Sequence, residues 1–405
     1  MAESRLTMNP FADIHVHPPP EALPIDPGAV EVITIKCPVR GRGLVVRDLT
    51  ADRDPALFGF FLAVIEESGE LELDADAPIA PALVEIGFLV PDDRIYEWPR
   101  FAVPLPDAGV SGAGAAPRDA DWIVADDLLF QPSFALHPGV SWPADFGDQD
   151  GLLGCFAPGP ALWVGEPGQL VAPFWVESDA AALLERFVAG QPPPPIPAAL
   201  HAALASIGAL VPRGAPRRDP LARFGRLRES FAAHRHAIAR AVLHPAELAA
   251  LRRYYAALLA DGLVRLGDRQ SDRRYSSYND PVGRFVQARL TPLMAAVTAR
   301  QVDPTFSYFF SYVDGAELAP HTDRDQAELS ISLQLDYSPA PAAVTGWPLR
   351  FTGPAGEAAA DLAIGDAVLY HGRELTHHRA ALPAGHQSSH LVLEYVPVDF
   401  AGLRA

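Results

Sequence analysis

Thr305–Tyr337 reads TFSYFFSYVDGAELAPHTDRDQAELSISLQLDY, and here the hydrophobic period changes from helical to two. Leu329, Ile331, Leu333 and Leu335 fall on one face of an extended chain, while Glu328, Ser330, Ser332 and Gln334 fall on the other. Three later segments, WPLRF from Trp347, GDAVLYHG from Gly365 and SSHLVLEYV from Ser388, are short, β-branched or aromatic, and separated by Gly/Pro-rich turns. Upstream, Glu229–Gly262 predicts two helices divided at His244 and Pro245, and a third runs from about Pro281 to Arg300. Helices followed by strands of this spacing predict an α+β chain ending in a double-stranded β-helix, the jelly-roll variant of all-β architecture.

Within the quoted stretch, His321-Thr322-Asp323 follows a strand and a Gly-containing turn, and His377 follows Asp323 after 53 intervening residues. Side chains two apart on an extended chain point the same way, so His321 and Asp323 can reach one ion. Two histidines and one carboxylate on one face of a metal leave the opposite positions open, as a non-haem Fe(II) oxygenase requires.

The run Tyr312-Val-Asp-Gly315-Ala-Glu-Leu318-Ala-Pro-His321-Thr-Asp323 resembles the Y-x-x-G-x-x-L-x-x-H-x-D signature of the prolyl-hydroxylase-like branch of the 2-oxoglutarate/Fe(II) oxygenases. Gly365-Asp366-Ala-Val-Leu-Tyr370 is similar to the strand that leads, in that family, to the distal histidine. The resemblance spans roughly residues 230 to 400 and implies Fe(II), 2-oxoglutarate as cosubstrate, O2, and release of succinate and CO2 as an unactivated C–H is hydroxylated. His321, Asp323 and His377 are then the metal ligands and catalytic centre, and Tyr312 hydrogen-bonds the oxo acid.

Period two selects His377 among its neighbours, because in an extended Thr376–Ala380 His377 and Arg379 share a face and His378 points away. His371 and His378 are expected as polar surface or supporting groups, and His390 as a lining or core residue. The distal carboxylate of the cosubstrate needs a cation, and a planar guanidinium pairs with it in two-point fashion. Lys36, the single lysine, is remote. The family places its cation about ten residues past the distal histidine, where this chain has His386, Gln387 and Ser388. Arg379 is the expected replacement, with Arg350 and Arg373 as contenders.

The N-terminal half carries an internal repeat, since Asp54–Pro91 and Asp179–Pro212 end in IGFLVP and IGALVP. Each copy reads as a hairpin followed by two helices, with Gly87 and Gly208 as helix stops. This order is similar to winged-helix and PqqD-like peptide-recognition modules; a packing or dimerisation scaffold is the other interpretation, and a homodimer fits it. Arg213–Pro220 reads as a linker, so the expected domains are 1–110, 111–220 and 221–405, the last the oxygenase domain. Asp13-Ile-His15-Val-His17 contains an H-x-H pair without the strand-helix repeat that would make it an amidohydrolase site. Asp272–Asp280 reads as a polar loop or part of a substrate mouth, and Gln191–Pro197 as a stiff spacer.

A formal charge of −18 with a pI near 5.1 argues against nucleic acid and anionic membranes as partners. With two cysteines, Cys37 and Cys155, no disulfide framework forms, and no long apolar run or signal-like start is present. The chain is expected to be cytoplasmic. Its expected substrate is a peptide or protein side chain, because so large an added region would be superfluous for a free metabolite. A free amino acid or metabolite hydroxylase, and a non-catalytic peptide-binding protein with a degenerate jelly roll, are the alternatives.

Overall fold

The computed structural model describes residues 6–9, 12–17, 29–66, 77–91, 94–106, 122–143, 154–165, 170–188, 196–214, 221, 224–268 and 270–402. The proline run 191–195 and most of the expected linker, 215–220, lie outside them. The chain divides into two compact units, Met1–Pro99 with Ala256–Arg265, and Arg100–Tyr255 with Leu266–Phe400. Among the described residues, no helix is long and apolar enough to cross a membrane.

In the first unit, strands Asp13–His17, Val32–Val39 and Gly43–Leu49 form an antiparallel sheet, followed by helices Pro55–Glu66 and Ala80–Glu85. The strand Leu89–Pro91 then returns to pair with Leu6–Met8. Residues 122–212 run through the same order. Strand Trp122–Val124 precedes a sheet of Leu128–Gln131, Ala161–Val164 and Ala172–Trp175, then helices Ser178–Val188 and Ala198–Ile207, and Leu210–Pro212 pairs back with Trp122–Val124. The expected hairpin is thus a three-stranded sheet in each copy, and the H-x-H segment is a strand of the first one; the side chains of Asp13, His15 and His17 lie outside the described residues.

The shared I-G-x-L-V-P ending has a backbone cause. Gly87 and Gly208 take φ of 78° and 83°, a region a Cβ disfavours. In each copy the glycine N–H reaches back to a carbonyl (Val84, Ala205) at 3.1 Å and the next N–H to another (Leu83, Leu204) at 2.9 Å. These bonds satisfy the last carbonyls of the helix and turn the chain into the closing strand.

In the second unit, one sheet orders its strands His236–Ala239, Ala367–His371, Leu329–Ser338, Gln387–Pro397, Val302–Val313, Arg274–Tyr278 and Arg265–Leu266. The other orders Leu318–His321, Thr376–Arg379, Leu349–Gly353 and Gly356–Ala360. From Val302 on, the chain passes repeatedly from one sheet to the other. The sheets meet through Leu318, Leu349 and Phe351 on one side and Val368 and Tyr370 on the other. Two expectations change here. His236–Ala239 is an edge strand paired with Ala367–Tyr370 rather than helix, and Arg274–Tyr278 is a strand paired with Tyr308–Tyr312 rather than a loop.

Helix Pro281–Thr298 starts at Asp280, whose carboxylate accepts from the N–H groups of Val282 and Gly283, a cap worth about 1 kcal/mol. Gly283 lets the helix lie close against Ser307 and Leu391. The opposite side of the helix carries Phe285, whose ring centroid lies 4.8 to 6.3 Å from those of Phe101, Phe134, Trp142, Phe156 and Trp163. Arg289, on the same helix, donates to the Val171 carbonyl and forms a buried ion pair with Glu247. This aromatic and ionic packing makes the second repeat and the two sheets one unit, where the sequence suggested separate domains.

Both faces of Leu329–Ser338 are buried. Leu333 and Ile331 pair with Leu391 and Leu393 and share the helix-covered face. The Ser330, Ser332 and Gln334 face pairs with Glu394, Val392 and His390 and looks into the space between the sheets. A polar stripe that ordinarily marks solvent here marks an interior.

Candidate metal centre

Strand Leu318–His321 ends at His321, and its antiparallel partner places His377 directly opposite. Asp323 follows in a loop whose backbone is held by its N–H on the Gly372 carbonyl at 2.9 Å. One donor atom from each of the three residues lies within 4.8 Å of the others. Asp323 Oδ1 is 3.6 Å from His321 Nε2 and 3.5 Å from His377 Nε2. The other nitrogen of each ring is engaged: His321 Nδ1 lies 2.9 Å from the Ala319 carbonyl and His377 Nδ1 3.0 Å from that of Leu375. A ring donating its Nδ1–H this way presents the Nε2 lone pair to a cation. Burial first, then the neighbouring His377, lowers the His321 pKa, which keeps that lone pair free of a proton. Tyr370 packs edge-on against His377 at 5.0 Å.

Gly372 closes this cradle. A Cβ there would overlap the Asp323 carboxylate and sit 2.7 Å from the Ala327 carbonyl oxygen. A three-donor cluster with both imidazoles oriented from behind and a carboxylate oxygen between them suits a divalent transition metal with open positions.

Arg379 lies two residues beyond His377 on the same face, both side chains buried while Thr376 and His378 are partly exposed. Its Nη1 donates to the Trp347 carbonyl at 2.7 Å, and the guanidinium stacks 4.6 Å above the Trp347 ring. Three arginines are buried among the described residues. Arg274 pairs with Asp268 at 2.6 Å and Arg289 with Glu247, whereas Arg379 forms no ion pair with a carboxylate among the described residues. Burial pushes its pKa down to about 10. A desolvated cation without a counter-charge is costly unless an anion arrives.

Tyr312 stands beside it, with its hydroxyl accepting from Arg274 Nη1 at 2.9 Å. Its ring lies 5.1 Å from Trp347 and 5.8 Å from His390. His390 is 1% exposed, with Nε2 2.9 Å from Ser388 Oγ. Burial, then Arg379 and Arg274, hold its pKa well below the ordinary value, so it stays neutral between two cations.

The contenders are not brought here. Arg350 is exposed on the outer face of its strand opposite His378, because Leu349 and Phe351 take the inward positions. Arg373 is half-exposed and paired with Asp325 at 3.0 Å. His371 lies beside Glu374 and Glu328, at 3.3 and 3.6 Å, and His386 Nδ1 is 2.9 Å from the Tyr337 hydroxyl. Sequence reasoning missed Arg274, Ser330 and Glu394. Arg274 was hidden in a stretch read as a loop, and Ser330 and Glu394 sit on two strands whose polar positions carried no ligand motif.

No protein-family model matches the chain, and no curated protein does. Among solved structures, a prolyl-4-hydroxylase from Pseudomonas putida is 21% identical, with 44% of this chain and 98% of that one covered and a TM-score of 0.36. A 2OG-Fe(II) oxygenase family oxidoreductase from Burkholderia pseudomallei is 12% identical, covering 44% and 91%, at a TM-score of 0.35. A prolyl hydroxylase from Trichoplax adhaerens, in complex with a hypoxia inducible factor peptide fragment, is 12% identical, covering 44% and 90%, at 0.37. Likeness at this level assigns no chemistry to this chain, which must come from its own residues.

Proposed function

We propose that the two facing sheets form an Fe(II)- and 2-oxoglutarate-dependent oxygenase site that hydroxylates an unactivated C–H of a peptide or protein side chain. One observation carries it: three metal-ligand side chains converge within 4.8 Å, and a buried guanidinium that forms no ion pair among the described residues lies two residues along the same strand. That offset corresponds to about 6.6 Å of strand, a reach suited to a five-carbon diacid spanning metal and cation.

His321, Asp323 and His377 would hold the metal, which when bound couples oxidative decarboxylation of 2-oxoglutarate to substrate oxidation by O2. Arg379 neutralises the distal carboxylate and is itself relieved of its unpaired burial. Because Arg274 occupies a lone pair of the Tyr312 oxygen, the Tyr312 proton is left to be donated to the oxo acid. Neutral His390 lines the same space without adding a third positive charge. Tyr370 and Phe351, packed on His377 at 5.0 and 6.2 Å, keep bulk water from the back of the ligand. The repeated N-terminal segments recruit the peptide, since so large an addition has no use for a small free metabolite.

Incubation with Fe(II), ascorbate, 2-oxoglutarate and a peptide pool should release succinate with O2 uptake, and mass spectrometry should find a 16 Da gain on peptide. His321→Ala and Asp323→Ala are expected to abolish both while leaving the fold intact. Turnover retained in either variant refutes the ligand set; turnover on free amino acids alone refutes the substrate class.

A further inference from the structure

Behind the metal-facing side of Asp323 lies a second carboxylate that the proposed chemistry does not use. Glu394 is 4% exposed on the strand Gln387–Pro397, its side chain turned inward opposite Ser330, which is 0% exposed. Ser330 Oγ is 2.6 Å from Glu394 Oε2 and 3.2 Å from Asp323 Oδ2. Tyr370 stands opposite Ser330 on the neighbouring strand. Among the described residues Glu394 makes no ion pair. Its charged or titratable neighbours are Asp323, Arg324, Tyr370 and Tyr395, with Arg324 exposed and stacked on Phe306.

Counting protons fixes the direction of this chain. A serine hydroxyl has one proton to donate and two lone pairs, so it cannot donate to two carboxylates at once. Were both acids ionised, one would face a serine lone pair in a buried setting, which is costly. Asp323 is the acid that must be ionised to serve as a ligand. The remaining proton therefore sits on Glu394, which donates to Ser330, and Ser330 donates onward to Asp323 Oδ2. Desolvation, reinforced by the Asp323 charge, raises the Glu394 pKa well above its usual range, in agreement.

We propose that Glu394, as a neutral acid, is a positioning residue that acts through the Ser330 hydroxyl to occupy Asp323 Oδ2. This leaves Oδ1, the oxygen nearest both histidine Nε2 atoms, as the single carboxylate ligand atom. The proposal rests on the ligand set given above and adds what keeps that carboxylate from closing on the metal with both oxygens, which would consume an open position.

The test uses Co(II) alone as probe, titrated into the full chain without cosubstrate and followed by its visible absorption, with thermal unfolding of the metal-free protein as the folding control. Glutamine at 394 keeps an N–H donor towards Ser330, so Glu394→Gln should bind within about threefold of wild type with the same band shape. Glu394→Leu and Ser330→Ala should lose roughly 10- to 100-fold and change the band intensity as the second oxygen enters the coordination sphere. If Glu394→Leu fails to fold, Ser330→Ala decides, since it removes one hydroxyl only. Wild-type affinity and spectrum in Ser330→Ala overturn the proposal, as does a Glu394→Gln loss equal to that of Glu394→Leu. His321→Ala separates the two levels. If it binds Co(II) like wild type, or wild type does not bind, the ligand set itself falls; if His321→Ala alone loses binding, only the role of Glu394 falls.

Discussion

Replacing Arg379 by leucine removes the one buried guanidinium that lacks an acidic partner among the described residues. Losing one partner of a buried, hydrogen-bonded charge pair costs about 2–5 kcal/mol of binding. Taking about 3 kcal/mol, the 2-oxoglutarate Kd should rise on the order of 100-fold. At a concentration 100 times the wild-type Kd, the cosubstrate stabilises wild type by about 2.7 kcal/mol and the variant by about 0.4 kcal/mol. At roughly 2 °C per kcal/mol, the ligand-induced rise in Tm should drop from about 5 °C to under about 1 °C. Without cosubstrate the sign differs. The pKa pushed down to about 10 by burial marks a desolvation penalty on the order of 3 kcal/mol, offset by the Trp347 carbonyl and ring contacts, so the variant should melt no lower than wild type. Anaerobic melting and calorimetry of the Mn(II)-loaded proteins measure both. An undiminished ligand shift would move the anchor to Arg274, and a cosubstrate-free variant weaker by several kcal/mol would make the guanidinium a structural group instead.

Gly372→Ala should weaken Co(II) binding at least tenfold, because its methyl overlaps the Asp323 carboxylate, with a stability loss of about 1–3 kcal/mol from overpacking. Unchanged affinity would show that the carboxylate is not confined there. His390 supplies a pH dependence. Burial, Arg379 and Arg274 hold its folded pKa well below the ordinary 6.5, so as pH falls through 6.5 the unfolded chain takes up a proton that the folded one refuses, and stability is lost on the acid side. Between pH 7.5 and 5.5 this contributes about 1.4 kcal/mol, which His390→Gln should remove from the difference in urea-unfolding free energy. Equal losses in both proteins would assign the acid sensitivity to other groups.

Local pattern and tertiary pairing each decide part of this site. The two-residue spacing of His321 and Asp323 and the period-two choice of His377 with Arg379 depend on neighbours a few residues apart, and a strand dictates which way such neighbours point. The repeated I-G-x-L-V-P endings likewise expose a backbone need, a glycine with positive φ where each helix must stop. Both were legible in the one-dimensional chain. Arg350 could be dismissed only once its strand showed Leu349 and Phe351 facing inward.

What the chain could not disclose by itself is which buried surface each polar residue meets. His236–Ala239 has helical neighbours and becomes a strand because the edge of Ala367–His371 offers it hydrogen bonds more than 100 residues away. Arg274 reaches Tyr312 and Glu394 reaches Asp323 through Ser330 only because strands distant in sequence lie side by side. Side-chain type and period fix the direction in which a group points. Whether it points at water, a helix or a metal is decided by what the fold brings to the other side.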